Sequence, residues 1–246
     1  MKKFIAAAAM LALASAPALA APPPPVFNWS GFYAGGNIGS GLEQGQPGLP
    51  PNFISFSPGP SLPTTTSYHG NGIVGGAQAG YNWQFTNWVV GLEADLGASD
   101  ARSTLGFLFP AGVIFTSLAG TTELRTDFFG TARGRIGYAT GNLLFYGTGG
   151  FAWVHEKFTT SGTTFVFASP IGTFASSDSQ WIGGWTAGGG VDYAFAPNWF
   201  VRLEYLHVGL GSHNFAIAPA VTGASTVPVT SRFDIVRVGL NYKFGY

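Results

Sequence analysis

Charged side chains recur on one alternation through much of this chain: Glu93 and Asp95, Arg125 and Asp127, Arg133 and Arg135, Arg202 and Glu204, with Asp192, Arg237 and Lys243 on the same pattern. Both signs held on one face of a sheet could do one of two things. They could neutralise one another as a hydrogen-bonded plug with trapped water, or they could line a pore and select its ions. The chain has four histidines, His69, His155, His207 and His213, and these offer less. A nucleophile needs Ser, His and a carboxylate brought together. Ser212 and His213 are neighbours without an evident acid, and neighbours on a strand face opposite ways. No two histidines stand at ligand spacing on one element, so no metal is expected. Tyr68-His69 is the leading candidate for haem ligation by a loop histidine, although a solvated histidine is the commoner case. The glycine runs Gly35-Gly36, Gly75-Gly76 and Gly188–Gly190 lie within strands and precede no helix, so they are not phosphate loops. No catalytic residue and no cofactor is expected.

The charges must be positioned by strands. In the final stretch, Ser231–Tyr246, Val236, Val238, Leu240, Tyr242, Phe244 and Tyr246 alternate with Arg237, Gly239, Asn241, Lys243 and Gly245. A period of two gives a strand one apolar face and one polar face. The same alternation marks Asn28–Gly41, Gly70–Phe85, Trp88–Ala101, Thr122–Ala139, Leu143–Phe158, Gln180–Phe195 and Trp199–Gly211. In Thr122–Ala139 it places Leu124, Phe128, Ala132, Ile136 and Tyr138 against Glu123, Arg125, Asp127, Arg133 and Arg135. The charges thus share the face opposite the aromatics. A soluble barrel would be oily inside and charged outside; here the pattern is inverted, as in a barrel whose wall meets lipid.

The connections alternate in length. Short turns fall at Thr86-Asn87, Thr140–Asn142 and Ala196–Asn198, and long connections at Glu43–His69, Arg102–Thr121, Thr159–Ser179 and Ser212–Thr230. The second of these is apolar around Leu105–Phe109 and Val113–Phe115, so strands extend past the membrane there. The expected fold is all-β: an eight-stranded antiparallel up-and-down transmembrane β-barrel over residues 28–246, with four long external loops, short periplasmic turns and both termini periplasmic. A hairpin hidden in the loops would raise the count to ten. An internal echo supports the register of the turns: Gly80-Tyr81, Asn87-Trp88 and Leu92-Glu93 recur as Asp192-Tyr193, Asn198-Trp199 and Leu203-Glu204. Tyr81, Trp83, Trp88, Tyr138, Tyr193 and Trp199 would form an aromatic girdle at the periplasmic interface.

Bulk composition agrees. Of 246 residues only 9% are charged while 15% are aromatic, with 37 glycines. So few charges would cover a soluble surface poorly. There is no cysteine, which excludes disulfides and thiolate chemistry. Residues 1–20 read as a secretory signal: Lys2 and Lys3, an apolar core over Phe4–Ala14 too short to span, and cleavage at Ala18-Leu19-Ala20. Residues 21–27 form a proline-rich spacer through Pro22–Pro25. Losing the leader leaves 9 basic against 11 acidic residues, so no nucleic-acid partner is expected.

Taken together, the segment Trp29–Gly39 (WSGFYAGGNIG), the turn pieces at Tyr81–Trp83 and Asn87-Trp88, and the ending Val238–Tyr246 (VGLNYKFGY) resemble the small outer-membrane barrel proteins of alphaproteobacteria, the opacity or porin-like group related to the OmpA transmembrane domain. The resemblance covers the whole mature chain. It implies eight antiparallel strands, location in the outer membrane of a Gram-negative bacterium, a role in envelope integrity and surface-exposed loops. It also implies export by the Sec route and a C-terminal signal for the barrel-assembly machinery at Tyr242, Phe244 and Tyr246, with tyrosine where such families usually end in phenylalanine. Outer-membrane lipid and lipopolysaccharide are the expected surroundings, and the aromatic wall permits self-association without requiring it. Some relatives bind haemin or act as adhesins, so a surface ligand binder stands beside a structural barrel with a plugged lumen and a narrow porin.

Overall fold

The computed structural model describes residues 27–47, 68–109, 116–217 and 225–245. The leader, residues 21–26 of the proline-rich segment and Tyr246 lie outside the described residues. The described chain is nearly all strand: β1 (Gly31–Pro47), β2 (Tyr68–Phe85), β3 (Trp88–Ser99), β4 (Arg102–Phe109), β5 (Thr116–Thr140), β6 (Leu143–Val166), β7 (Ser169–Ala196), β8 (Trp199–Ile217) and β9 (Ser225–Lys243). Every pairing is antiparallel, and β1 pairs with both β2 and β9, so the sheet closes on itself and leaves no edge in lipid. The nine segments fill eight positions around the ring, because β3 and β4 follow one another along the same flank of β5. The break is local. The Asp100 side chain accepts the Ile73 backbone N–H at 2.6 Å, and the Ala101 carbonyl accepts from Thr126 N–H.

Alternation does the sorting. In β3 burial switches at each step from Trp88 to Leu96, with Trp88, Val90, Leu92, Ala94 and Leu96 exposed and Val89, Gly91, Glu93 and Asp95 buried. The exposed outer wall includes Phe32, Tyr81, Trp83, Trp88, Tyr138, Phe145, Tyr193, Trp199 and Tyr242 near the short-turn end and Phe128, Phe151, Trp181 and Trp185 near the other. At about 3.3 Å per residue and a tilt of about 40°, the run from Tyr138 to Phe128 rises roughly 25 Å, the height of an outer-membrane apolar band. All six aromatics assigned to the girdle face outward, and Trp88 packs edge-on against Tyr138 with ring centres 5.6 Å apart. Tyr242 and Phe244 extend the same wall, their rings 5.0 Å apart.

Three expectations need correction. The connection over Thr159–Ser179 is not a loop: β6 and β7 pair throughout it and reverse at Phe167-Ala168, both with positive φ (48° and 66°), the twist a two-residue hairpin needs. This stretch lies beyond the lipid, so no apolar face enforces alternation, and its threonines supply β propensity instead. The connection over Ser212–Thr230 is likewise largely strand, in β8 and β9, while over Arg102–Thr121 the strands β4 and β5 extend outward as its apolar residues imply. The first strand starts at Gly31, whose φ of 129° turns Phe27–Ser30 into the barrel mouth. Finally, Arg125 and Asp127 do not enter the lumen. A bulge between Thr126 and Phe128 shifts the alternation of β5, so Leu124 and Thr126 point inward while Arg125 and Asp127 pair at 2.5 Å on the outer surface.

Candidate functional site: the layered interior

The inward faces stack into layers. At the mouth on the short-turn side, Phe27, Trp29, Tyr33 and Phe200 meet edge to face, with Trp29–Phe200 and Tyr33–Phe200 ring centres each 5.5 Å apart. Trp29 is 1% exposed, and its backbone N–H donates to Gln84 Oε1 at 2.8 Å. Lys243 Nζ donates to the carbonyls of Asn28 (2.8 Å) and Ser30 (3.4 Å) and stands over the Phe27 ring. Lys243 therefore latches the N-terminal segment, and among the described residues it forms no ion pair with the carboxylates deeper in the lumen, which separates it from the charge set it was expected to join.

Above this aromatic cluster lie Glu93, Asp95, Asp192 and Glu204 with Arg133, Arg135, Arg202 and Arg237, all buried. Register brings several pairs together on adjacent strands: Glu93 opposite Arg133, Asp192 opposite Arg202, Glu204 opposite Arg237. Arg133 also donates to Asp95 on the same neighbouring strand, and other bonds reach past adjacent strands. Arg133 Nη1 donates to Glu204 Oε1 (2.9 Å), Arg135 Nη2 to Asp192 Oδ2 (2.7 Å) and Arg237 Nη2 to Asp95 Oδ2 (2.9 Å). Glu93 accepts from Arg133, Arg202 and the Tyr33 hydroxyl, and Tyr146 OH donates to Glu204 at 2.9 Å. The Arg135 guanidinium lies 3.8 Å over the Tyr146 ring. The named acids and bases balance in charge, so the layer is electroneutral as well as cross-bonded. Gly190 makes room for it: a Cβ there would fall 2.7 Å from the Tyr146 hydroxyl. These eight ionic residues stand out in the sequence by their charge; Tyr33, on the polar face of the first strand, and Tyr146 and Trp29 share the inward parity without a charge to mark them as part of the network.

Further out the lumen is apolar, filled by Val154, Phe158, Ile182, Leu206, Leu210, Phe215, Phe233 and their neighbours. Within this layer stand two more carboxylates, Glu43 and Glu156, each 1% exposed. Glu43 Oε1 accepts from Thr126 Oγ1 at 3.2 Å, and Glu156 Oε2 from Ser231 Oγ at 3.2 Å. Glu43 opens the long connection Glu43–His69 in the sequence and carries no mark of burial there, whereas the shared parity of Glu156 with Ala152 and Val154 signals its inward side.

The histidines scatter. His207 Nδ1 lies 2.7 Å from Asp234 Oδ1 on the outer wall, where Tyr205 OH also reaches Asp234. His155 packs against Trp181, also outside. His213 sits in β8 rather than a loop, and burial lowers its imidazole below the ordinary range. The backbone of Tyr68 and His69 opens β2, while their side chains lie outside the described residues. Among the described residues, no group of three or more His, Cys, Asp or Glu side chains is placed to hold a metal.

Residues 6–244 match the family model described as the outer membrane protein beta-barrel domain. The chain is 36% identical over 236 residues to a 31 kDa outer-membrane immunogenic protein of Brucella melitensis, covering 94% of this chain and 89% of that protein. It is 28% identical over 195 residues to a 22 kDa outer membrane protein of Rhizobium leguminosarum, covering 79% and 71% respectively. Among solved structures, OprG of Pseudomonas aeruginosa is similar with a TM-score of 0.46 and 13% identity, covering 90% of this chain and 99% of that one.

Proposed function

We propose that this chain, which belongs to the outer membrane protein beta-barrel family, is a sealed structural barrel that strengthens the envelope and presents its outer hairpins at the cell surface. One observation carries the reading. The lumen is crossed by a charge-balanced network whose guanidinium and carboxylate groups bond wall to wall, with the aromatic cluster of Phe27, Trp29 and Phe200 beneath it. An eight-stranded barrel is only wide enough for its side chains to fill. The extension of β6 and β7 well past the apolar band supplies a rigid surface for recognition outside the cell. Names given to relatives as immunogenic outer-membrane proteins accord with surface exposure. Lipopolysaccharide and outer-leaflet lipid are the surroundings proposed for the wall, with Sec export and the barrel-assembly machinery as the proposed route.

The test is conductance of the refolded mature chain in a planar bilayer, after detergent-gel migration has verified folding. A folded barrel without stepwise current is expected. Stable steps whose ion selectivity shifts on neutralising Arg133, Arg135 or Glu204 would replace this reading with a narrow porin.

A further inference from the structure

Among the described residues the outer acidic layer holds no arginine or lysine; its one inward imidazole, His213, pairs in register with Val229 and has a buried Nδ1 without a hydrogen-bond partner. Thr126, Glu156, Ser231 and Ser103 all point inward, and each has a cationic neighbour in sequence: Arg125, Lys157, Arg232 and Arg102. Strand alternation sends all four cations to the outside of the wall. Two carboxylates are thereby enclosed among Leu124, Phe158, Phe215, Val229 and Phe233 with hydroxyls as their only named partners. Enclosing charge in such a layer without a counter-ion is costly.

The positions converge on one space. Glu43 on β1 faces Gly70 on β2, and Gly70 adjoins Ser103 on β4; a Cβ on Gly70 would fall 3.0 Å from that of Ser103. Because Gly70 has no side chain, Glu43 crosses β2 and β4 to reach Thr126 on β5. Ser103 therefore lies under the path of the Glu43 side chain, 2% exposed, with its hydroxyl unpartnered. Thr126 is the register partner of Glu156, whose side chain rises beside it about 5 Å away. Glu43 Oε2 and Glu156 Oε1 are buried without a hydrogen-bond partner.

We propose that Glu43, Glu156 and Ser103, supported by Thr126 and Ser231, form a site for a hard divalent cation of the calcium class inside the outer end of the barrel. The donor set is all oxygen, with neither nitrogen nor sulfur to attract a softer metal. Two carboxylates match one divalent charge, giving the outer layer the neutrality that arginine gives the inner one. An irregular set drawn from β1, β4, β5, β6 and β9 suits the flexible coordination of calcium better than the strict octahedron of magnesium. Occupation would tie strands from opposite sides of the ring together beyond the lipid.

The test uses the mature chain refolded in zwitterionic detergent and titrated with calcium chloride alone by calorimetry, with the heat needed to unfold the barrel on a gel as a second readout. Saturable binding of one ion per barrel is expected, with a higher unfolding temperature that potassium at matched ionic strength does not reproduce. Glu43→Gln and Glu156→Gln should each weaken binding at least tenfold and Ser103→Ala severalfold, while Glu123→Gln, an outer-surface control, leaves it unchanged. Absence of saturable binding by the wild-type barrel would overturn the proposal. So would equal binding by the Glu43→Gln/Glu156→Gln double variant with its folded gel band intact, and a barrel in which only protonation, and no cation, raises the unfolding temperature. None of these outcomes depends on whether the lumen conducts.

Discussion

Two carboxylate layers share one barrel and are neutralised differently. In the inner layer each acid meets arginine, from the neighbouring strand or across the lumen, and buried pairing of this kind holds when the remaining hydrogen bonds are made. In the outer layer Glu43 and Glu156 meet only hydroxyls, while the nearest cations in sequence face the other side of the wall. Charge on a residue is therefore a poor guide to its role in a barrel; the side of the sheet on which it falls decides. The inner layer balances its charge with its own side chains, although Asp95 Oδ1, Arg133 Nε, Arg135 Nε and Arg237 Nη1 are buried without hydrogen-bond partners, whereas the outer layer lacks the charge balance that arginine provides.

Substitutions should separate the layers by sign as well as size. The largest effect is expected from Glu93→Ala, which strands Arg133, Arg202 and Tyr33 around a hole; removing one partner of such a network costs about 3–5 kcal/mol. Urea unfolding of the refolded barrel measures it, and an unchanged midpoint would mean the inner layer carries no stability. The outer layer should respond in the opposite direction. With chelator present at pH 8, above the value of about 7 to which burial raises the Glu156 carboxyl, Glu156→Gln removes an unpaired buried charge and is expected to stabilise the barrel by up to about 2 kcal/mol, a gain that fades as the pH falls below 7; added calcium should then favour the wild type. A loss of stability in chelator would show that the two layers are alike. The smallest change belongs to Arg125→Ala. Its pair with Asp127 lies on the outer surface with the arginine side chain 39% exposed, so a change below about 1 kcal/mol is expected in the same titration. A cost matching that of Glu93→Ala would mean that the bulge in β5 does not set which side Arg125 occupies.

Much of this was legible in residue order. The inversion of apolar and charged faces within each strand announces a barrel in lipid, because only that setting rewards an oily outside. The turns at Thr86-Asn87 and Ala196–Asn198 and the outward girdle follow from the same alternation. Legibility faded past the outer edge of the lipid. From Thr159 to Ser179 both faces meet water or a partly filled lumen, so the strands lose their period-two signature and read as loop. It also failed at the bulge, where one extra residue beside Phe128 exchanges the faces of Glu123, Leu124, Arg125 and Thr126 without any mark in composition.

By itself the sequence determined the class of protein, the depth of its aromatic wall and which of Glu93, Asp95, Arg133, Arg135, Asp192, Arg202, Glu204 and Arg237 would face inward, since side-chain alternation is a local property of extended backbone. Only the tertiary structure decided who meets whom. Ring closure and strand stagger bring Arg133 to Glu204 and Asp95 to Arg237 across the lumen, fold Trp29 back into the mouth, and carry Glu43 over Gly70 to Thr126. Those contacts join residues far apart along the chain, and their geometry exists only once the sheet has closed.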